Sequence, residues 1–145
     1  MTVSLCRDAA WINRVVNDPE VRPYVGPVEL GELDMSGLMG QAENLFLMGE
    51  HGGFALIWTA PKTLEVHTFI LPSGRGEWAR QAASEGMELA RQSGAERLWT
   101  RIPPDLPHVK LYARGMGMKP TGEVIQTFDK PYRIYSMEIN SCQQQ

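Results

Sequence analysis

Apolar positions recur along this chain with two different periods, and the change from one to the other separates strands from helices. The clearest change lies between residues 63 and 94. Leu64, Val66, Phe69, Ile70 and Leu71 form a strand-length apolar run with no breaker before Pro72, the pattern of a strand covered on both faces. Beyond Ser73, Gly74, Arg75 and Gly76 the spacing becomes three and four. Ala79, Ala82, Ala83, Gly86, Met87 and Ala90 then share one narrow helical face of mostly small side chains, which can lie close against a sheet, and Gly94 is a natural terminator. Residues 96–102 return to alternation, with Leu98, Thr100 and Ile102 set against Arg97, Trp99 and Arg101. A helix between two strands implies that they are parallel.

The remainder of the chain carries the same signals more weakly. Residues 3–7 read as a first strand, and Asp8 caps a helix through Ala9, Ala10, Trp11, Ile12, Val15 and Val16 that ends near Asp18 and Pro19. A loop rich in Pro and Gly occupies residues 23–31. Asp34 is then expected to cap a short helix containing Met35, Leu38 and Met39, positioned as a lid or wall. Residues 45–49 and 54–59 are strand-like and joined by Glu50, His51, Gly52 and Gly53, which predicts an antiparallel hairpin with a glycine turn and leaves His51 exposed. After Pro103 and Pro104, a helix begins at Asp105 or Leu106 with Pro107 in its first turn, shows an apolar side through Val109, Leu111, Tyr112 and Met116, and stops at Gly115 and Gly117. Residues 118–129 and 132–139 form a last hairpin about Lys130 and Pro131. The predicted order is β-α-α-β-β-β-α-β-α-β-β. It specifies an α+β fold in α/β layers, with a mixed, mostly antiparallel sheet and one central parallel βαβ unit, over a single domain at residues 1–140 with a polar tail at 141–145.

Composition narrows the function classes. A length of 145 residues suits one domain with a real core. The formal charge of −3 argues against nucleic acid or an anionic membrane as the main partner, because both call for a basic face. The longest uncharged apolar run, residues 54–60, is strand-sized, so no signal peptide or membrane span is read and a cytoplasmic location is expected. Cys6 and Cys142 make no disulfide framework, and no His or Cys pair has the spacing of zinc ligands. The oligomeric state is left open.

Candidate chemistry concentrates at the glycine-bearing turn. Ser73, Gly74, Arg75, Gly76, Glu77 and Trp78 place backbone freedom and one cation where a helix starts and its first N–H groups lack partners, which is a ready anion site. Gly74 to Ala79 also satisfies the dinucleotide fingerprint G-x-G-x-x-A. Against that reading, the acidic residue of the following strand, Glu96, stands at its start and Ile102 at its end, whereas a ribose-binding acid is needed at the end.

Together, the element order and this turn resemble the GNAT superfamily of acyl-CoA-dependent N-acetyltransferases over nearly the whole chain, most of all its short, divergent members in bacteriophages. The family loop runs Arg or Gln, two free positions, Gly, one free position, then Gly or Ala. Gly76 matches the family glycine, while Ser73 and Trp78 depart from the pattern. A second marker, Gly117 to Gly122, resembles the family's Gly-Phe and the strand that follows its fourth helix.

The resemblance implies acetyl-CoA as cofactor, held by residues 73–78, with a backbone N–H among Phe69, Ile70 and Leu71 as oxyanion donor. It also implies direct transfer to an amine, from a small molecule or a protein. Holding a lysine-like amine neutral at pH 7 costs roughly 4 to 5 kcal/mol, at about 1.36 per pKa unit, so a base or a dry pocket is needed. His67, in the middle of the central strand, is the candidate base, with Glu65 on the same side by strand parity. The family's tyrosine acid falls at Ala113, one residue from Tyr112, which becomes the candidate acid. A strand residue held by a hydrogen bond and a packed tyrosine are the plain alternatives for His67 and Tyr112. Glu29, Glu32, Asp34 and Glu43 make residues 23–44 acidic and point to a cationic amine approaching from that side. The competing reading is a catalytically impaired module of this fold that binds a host or cellular protein.

Overall fold

The computed structural model describes residues 1–127 and 129–139. The tail at 141–145, Cys142 and the Phe128 position of the last hairpin lie outside the described residues.

Seven strands form one sheet in the order β1-β2-β3-β4-β5-β7-β6: β1 (Ser4–Leu5), β2 (Leu45–Gly49), β3 (Gly52–Ala60), β4 (Thr63–Ile70), β5 (Arg97–Ile102), β6 (Lys119–Gln126) and β7 (Pro131–Glu138). Every neighbouring pair is antiparallel except β4 with β5. The fold class is therefore the mixed, mostly antiparallel α+β sheet with one central parallel unit that the periodicities predict. Among the described residues, four α-helices cover it: α1 (Ala9–Val16), α2 (Ser36–Met39), α3 (Glu77–Gln92) and α4 (Pro107–Gly115).

Because strand side chains alternate, each central strand feeds two cores. On one face Leu47, Phe54, Leu56, Leu64 and Val66 pack with Ala79, Ala82, Ala83 and Ala90 of α3 and Ala113 of α4. On the other, Phe46, Met48, Ala55 and Phe69 pack with Ile12, Val15 and Val16 of α1 and with Val21, Met35 and Met39. Glu65 and His67 share the parity of Phe69 and so belong to the α1 face.

Local expectations differ from the structure in four places. The β2–β3 turn is Glu50 and His51 alone. Gly52 and Gly53 pair as strand residues, and the close approach there requires glycine: a Cβ at Gly53 would stand 1.8 Å from the Leu47 carbonyl oxygen and at Gly52 2.0 Å from that of Phe69. Second, β1 is only two residues long. It is held from α3, where the Glu85 carboxylate accepts bonds from the Thr2 and Val3 amides at 2.8 to 3.0 Å. Third, α2 begins one residue later than expected, with Met35 at its cap position and Asp34 bonded to the Ser36 amide. Fourth, β6 ends at Gln126 and is irregular between Pro120 and Val124, where proline and Gly122 interrupt the ladder. Among the described residues, no helix is long and apolar enough to cross a membrane, and no three His, Cys, Asp or Glu side chains converge as metal ligands.

Candidate functional site

The parallel pair is short. Thr63, Leu64 and Glu65 lie opposite Arg97, Leu98 and Trp99, and beyond them β4 and β5 part. A cleft of about 740 Å³ opens at the parting and is lined from both faces of the sheet. It continues to Gly76, Ala79 and Tyr112 on the α3–α4 side and to His67 and the loop carrying Tyr24 and Leu30 on the other.

The parting strips β4 of its strand partner. The Val66 carbonyl is taken by the Thr100 hydroxyl at 2.9 Å, and the Ile70 carbonyl accepts from Arg75 Nε and Nη2 at 3.4 and 3.3 Å. Both carbonyls point toward the β5 side, so the two-residue alternation places the backbone N–H and C=O of Thr68, and the N–H of Ile70, on that same side with no strand opposite. Of the three amides named from the sequence, Leu71 N–H is bonded to the His51 carbonyl at 2.9 Å and Phe69, opposite Gly53, has the parity of the residues facing β3. Ile70 alone shares the orientation of Thr68. Bare main-chain donors and acceptors beside an apolar cleft can pair with an extended amide-bearing ligand.

The glycine-bearing turn leads from β4 into α3 through a short 3-10 segment, Pro72–Gly74. Gly76 occupies the cap position of α3 at φ 110°, a conformation that glycine adopts freely, and no side chain caps the helix. The amides of its first turn thus remain available to an anion. Gly74 serves a different purpose. Its φ is not positive, and a Cβ there would meet the His51 Cβ at 2.4 Å. His51 is not the exposed turn residue expected: its Nδ1 lies 2.8 Å from Ser73 Oγ and its ring meets Trp78 edge-on at 5.0 Å between centroids. Trp78 folds onto this brace and against Gly49, outside the cleft lining. Glu77 projects outward and pairs with Arg80 at 2.6 Å.

Arg75 is engaged within the protein. Besides Ile70, its Nη2 donates to the Glu20 carbonyl at 2.7 Å, and its guanidinium stands 5.5 Å from the Tyr24 ring centre. The loop it secures is organised from within by the buried Arg22, which donates to the carbonyls of Gly31, Gly26 and Pro27 at 2.9, 3.1 and 2.6 Å. From this loop Tyr24 reaches α4, its hydroxyl 2.5 Å from His108 Nε2. Cleft and loop are thereby tied at two points.

Glu65 and His67 do meet. Glu65, 5% exposed, has one carboxylate oxygen 2.7 Å from Arg101 Nε and the other 3.4 Å from His67 Nε2. Burial works against its ionisation, but the hydrogen bonds and charges of His67 and Arg101 prevail and hold the carboxyl below the ordinary glutamate range. Arg101 also lies 5.4 Å from the Trp99 ring centre. Tyr112 lines the cleft, yet its hydroxyl donates to the Ala79 carbonyl at 3.0 Å and pins α4 to the start of α3, and burial pushes its pKa well above the usual tyrosine value.

Sequence reasoning missed Thr68, Thr100, Arg101, Tyr24 and His108. Arg101 carried a usable signal, since the face of residues 96–102 holding Arg97, Trp99 and Arg101 runs parallel to a strand holding Glu65 and His67. Tyr24 and His108 carried none, because 84 positions separate them.

Neither a protein-family model nor a curated protein sequence matches this chain. Solved structures do. An aminoglycoside 6′-N-acetyltransferase complexed with coenzyme A superposes with a TM-score of 0.73 over 97% of this chain and 98% of its own, at 13% identity. The spermidine N-acetyltransferase of Vibrio cholerae in complex with CoA and spermine gives 0.72 at 12% identity, covering 94% of each chain. YncA of Salmonella typhimurium with acetyl-CoA gives 0.72 at 14% identity over 95% of this chain and 93% of its own. At such identities the likeness concerns the fold, and the described residues have the fold of these acetyltransferases.

Proposed function

We propose that the protein is an N-acetyltransferase that moves an acetyl group from acetyl-CoA directly to a small-molecule amine. The observation that carries this reading is the parting of β4 from β5 beside an uncapped α3, in a fold shared with acetyltransferases that bind CoA.

The residues present suit the cofactor. The first-turn amides of α3 after Gly76 offer donors for phosphate, the bare edge of β4 at Thr68 and Ile70 offers main-chain pairing for an amide-bearing arm, and Trp78 leaves the cleft clear. Acetyl-CoA, when bound, would supply the activated acetyl group through cleavage of its thioester C–S bond, the CoA sulfur leaving as a thiol with a proton from solvent. On the α1 face, Glu65 favours a proton on His67 Nε2 and leaves Nδ1 to accept one from the amine. An amide of β4 facing the cleft is available to stabilise a developing oxyanion. Cys6, the one free cysteine among the described residues, sits beside Asp8, and no cysteine lines the cleft, so transfer without an acetylated enzyme is expected.

The test is mass spectrometry of a mixture of amines incubated with acetyl-CoA and the protein. An acceptor heavier by one acetyl group is expected. Acetyl groups trapped on the protein alone contradict direct transfer.

One observation favours a second reading, a binding module without turnover. The Tyr112 hydroxyl and the Arg75 guanidinium are both bonded to main-chain carbonyls. Stoichiometric capture of a host protein, with acetyl-CoA bound and no acetylated product, is the result expected of that reading.

A further inference from the structure

Resting on the acetyltransferase reading, we infer that the acceptor is an amine on an apolar or aromatic body, and not a polycation. The acidic residues that suggested a cationic acceptor do not line the cleft. Glu29, Glu32 and Glu43 are exposed, and Asp34 is bonded to Ser36 and Asn13. Among the described residues, no Asp or Glu lines the cleft, while His67, Arg75, Arg101 and His108 do. Among the same residues, two carboxylates touch cleft-lining side chains and both are engaged: Glu65 lies between Arg101 and His67, and Asp129 accepts from the Thr127 and Tyr132 hydroxyls. A second or third ammonium group entering the cleft would therefore be desolvated beside the Arg75 and Arg101 guanidiniums, with the neighbouring carboxylates already bonded elsewhere.

The wall that the Arg22-organised loop presents has the opposite character. Tyr24, Val25, Pro27 and Leu30 face the cleft on the side where His67 stands. Leu30 is 60% exposed at the rim, a large apolar side chain left uncovered where an apolar ligand would cover it. Tyr24 is fixed between Arg75 and His108, so its ring is a rigid wall able to pack against another ring. One uncharged amine beside His67, with its body on Tyr24 and Leu30, satisfies every group on that wall.

The experiment uses the purified full chain. Acetyl-CoA binding is first measured by titration. Release of the CoA thiol is then followed with phenethylamine, tryptamine, spermidine and kanamycin at equal concentrations. The expected result is a kcat/KM for the two arylalkylamines at least tenfold above that for spermidine or kanamycin. Leu30→Glu should lower the arylalkylamine value at least tenfold through KM while the acetyl-CoA Kd stays constant. Because Leu30 is largely exposed, this variant is expected to fold, which circular dichroism checks. Preference for spermidine or kanamycin overturns the inference and leaves the acetyltransferase reading standing. Acetyl-CoA binding with no turnover of any amine also overturns it. Absence of acetyl-CoA binding removes the acetyltransferase reading, and the inference with it.

Discussion

At the scale of single residues, the chemistry turns on His67 and its buried partner Glu65. A base that accepts a proton near neutral pH contributes roughly a hundredfold or more in rate, whereas a side chain that only completes a hydrogen bond contributes about 1 kcal/mol of stability. His67→Gln separates these roles, because the amide can still hydrogen-bond and cannot take up a proton. The expected outcome is a fall in kcat of roughly a hundredfold with an unchanged acetyl-CoA Kd, and only a small change in Tm. Wild-type turnover per folded molecule would remove His67 from the mechanism. Strand parity alone put Glu65 and His67 on one side, and that much was legible in the sequence. That the pair continues to Arg101 depends on the β4–β5 register, which periodicity does not fix.

Glu85 makes a second prediction at this scale. Burial opposes its ionisation, but hydrogen bonds from Val3, Gln81 and Thr2 hold its pKa down to about 2. A carboxyl whose folded pKa lies below its unfolded value contributes stability that is complete above about 4.5 and disappears as pH falls toward 2. Glu85→Gln should therefore be less stable than wild type at pH 7, by roughly 1 kcal/mol once solvent screening of this half-exposed carboxylate is allowed for. The difference between the two proteins should close between pH 4.5 and 2. Denaturant titrations across that window measure it, and a constant difference would show that the carboxylate charge is not what holds β1.

At the scale of elements, α3 is the part the sequence describes most fully. Its small residues at three- and four-residue spacing are the ones buried against β2, β3 and β4. Gly86 is not required there by close packing, since an added Cβ would meet Phe54 at 3.6 Å, an ordinary contact. Removing the backbone freedom of a mid-helix glycine stabilises by roughly 0.5 to 1 kcal/mol. Gly86→Ala should raise Tm by a few degrees in a thermal melt, and a lowered Tm would mean that α3 cannot accommodate a methyl group at this contact. The turn before α3 was less legible, because its two glycines look alike in sequence and act differently. Gly76 supplies a positive φ, and Gly74 makes room for His51. His51 itself, read as a turn residue, packs on Ser73 and Trp78 because β2 and β3 are joined by only two residues and their turn reaches the end of β4.

At the scale of the whole molecule, element order specified the mixed sheet and its parallel centre. The cleft was not legible, because it exists only where β4 and β5 stop pairing, and neither strand's sequence records where that happens. The Arg22 loop was equally hidden, since it is held by side chain to carbonyl bonds among glycine and proline residues without a period. The loop forms one wall of that cleft, and the central claim is that this opening receives acetyl-CoA. Isothermal titration of acetyl-CoA into the purified protein tests it most directly. The account predicts saturable heat at one site per chain, competition by CoA, and a stabilisation of about 2.7 kcal/mol when free ligand is a hundredfold above Kd. No heat and no shift in Tm at millimolar acetyl-CoA would contradict it.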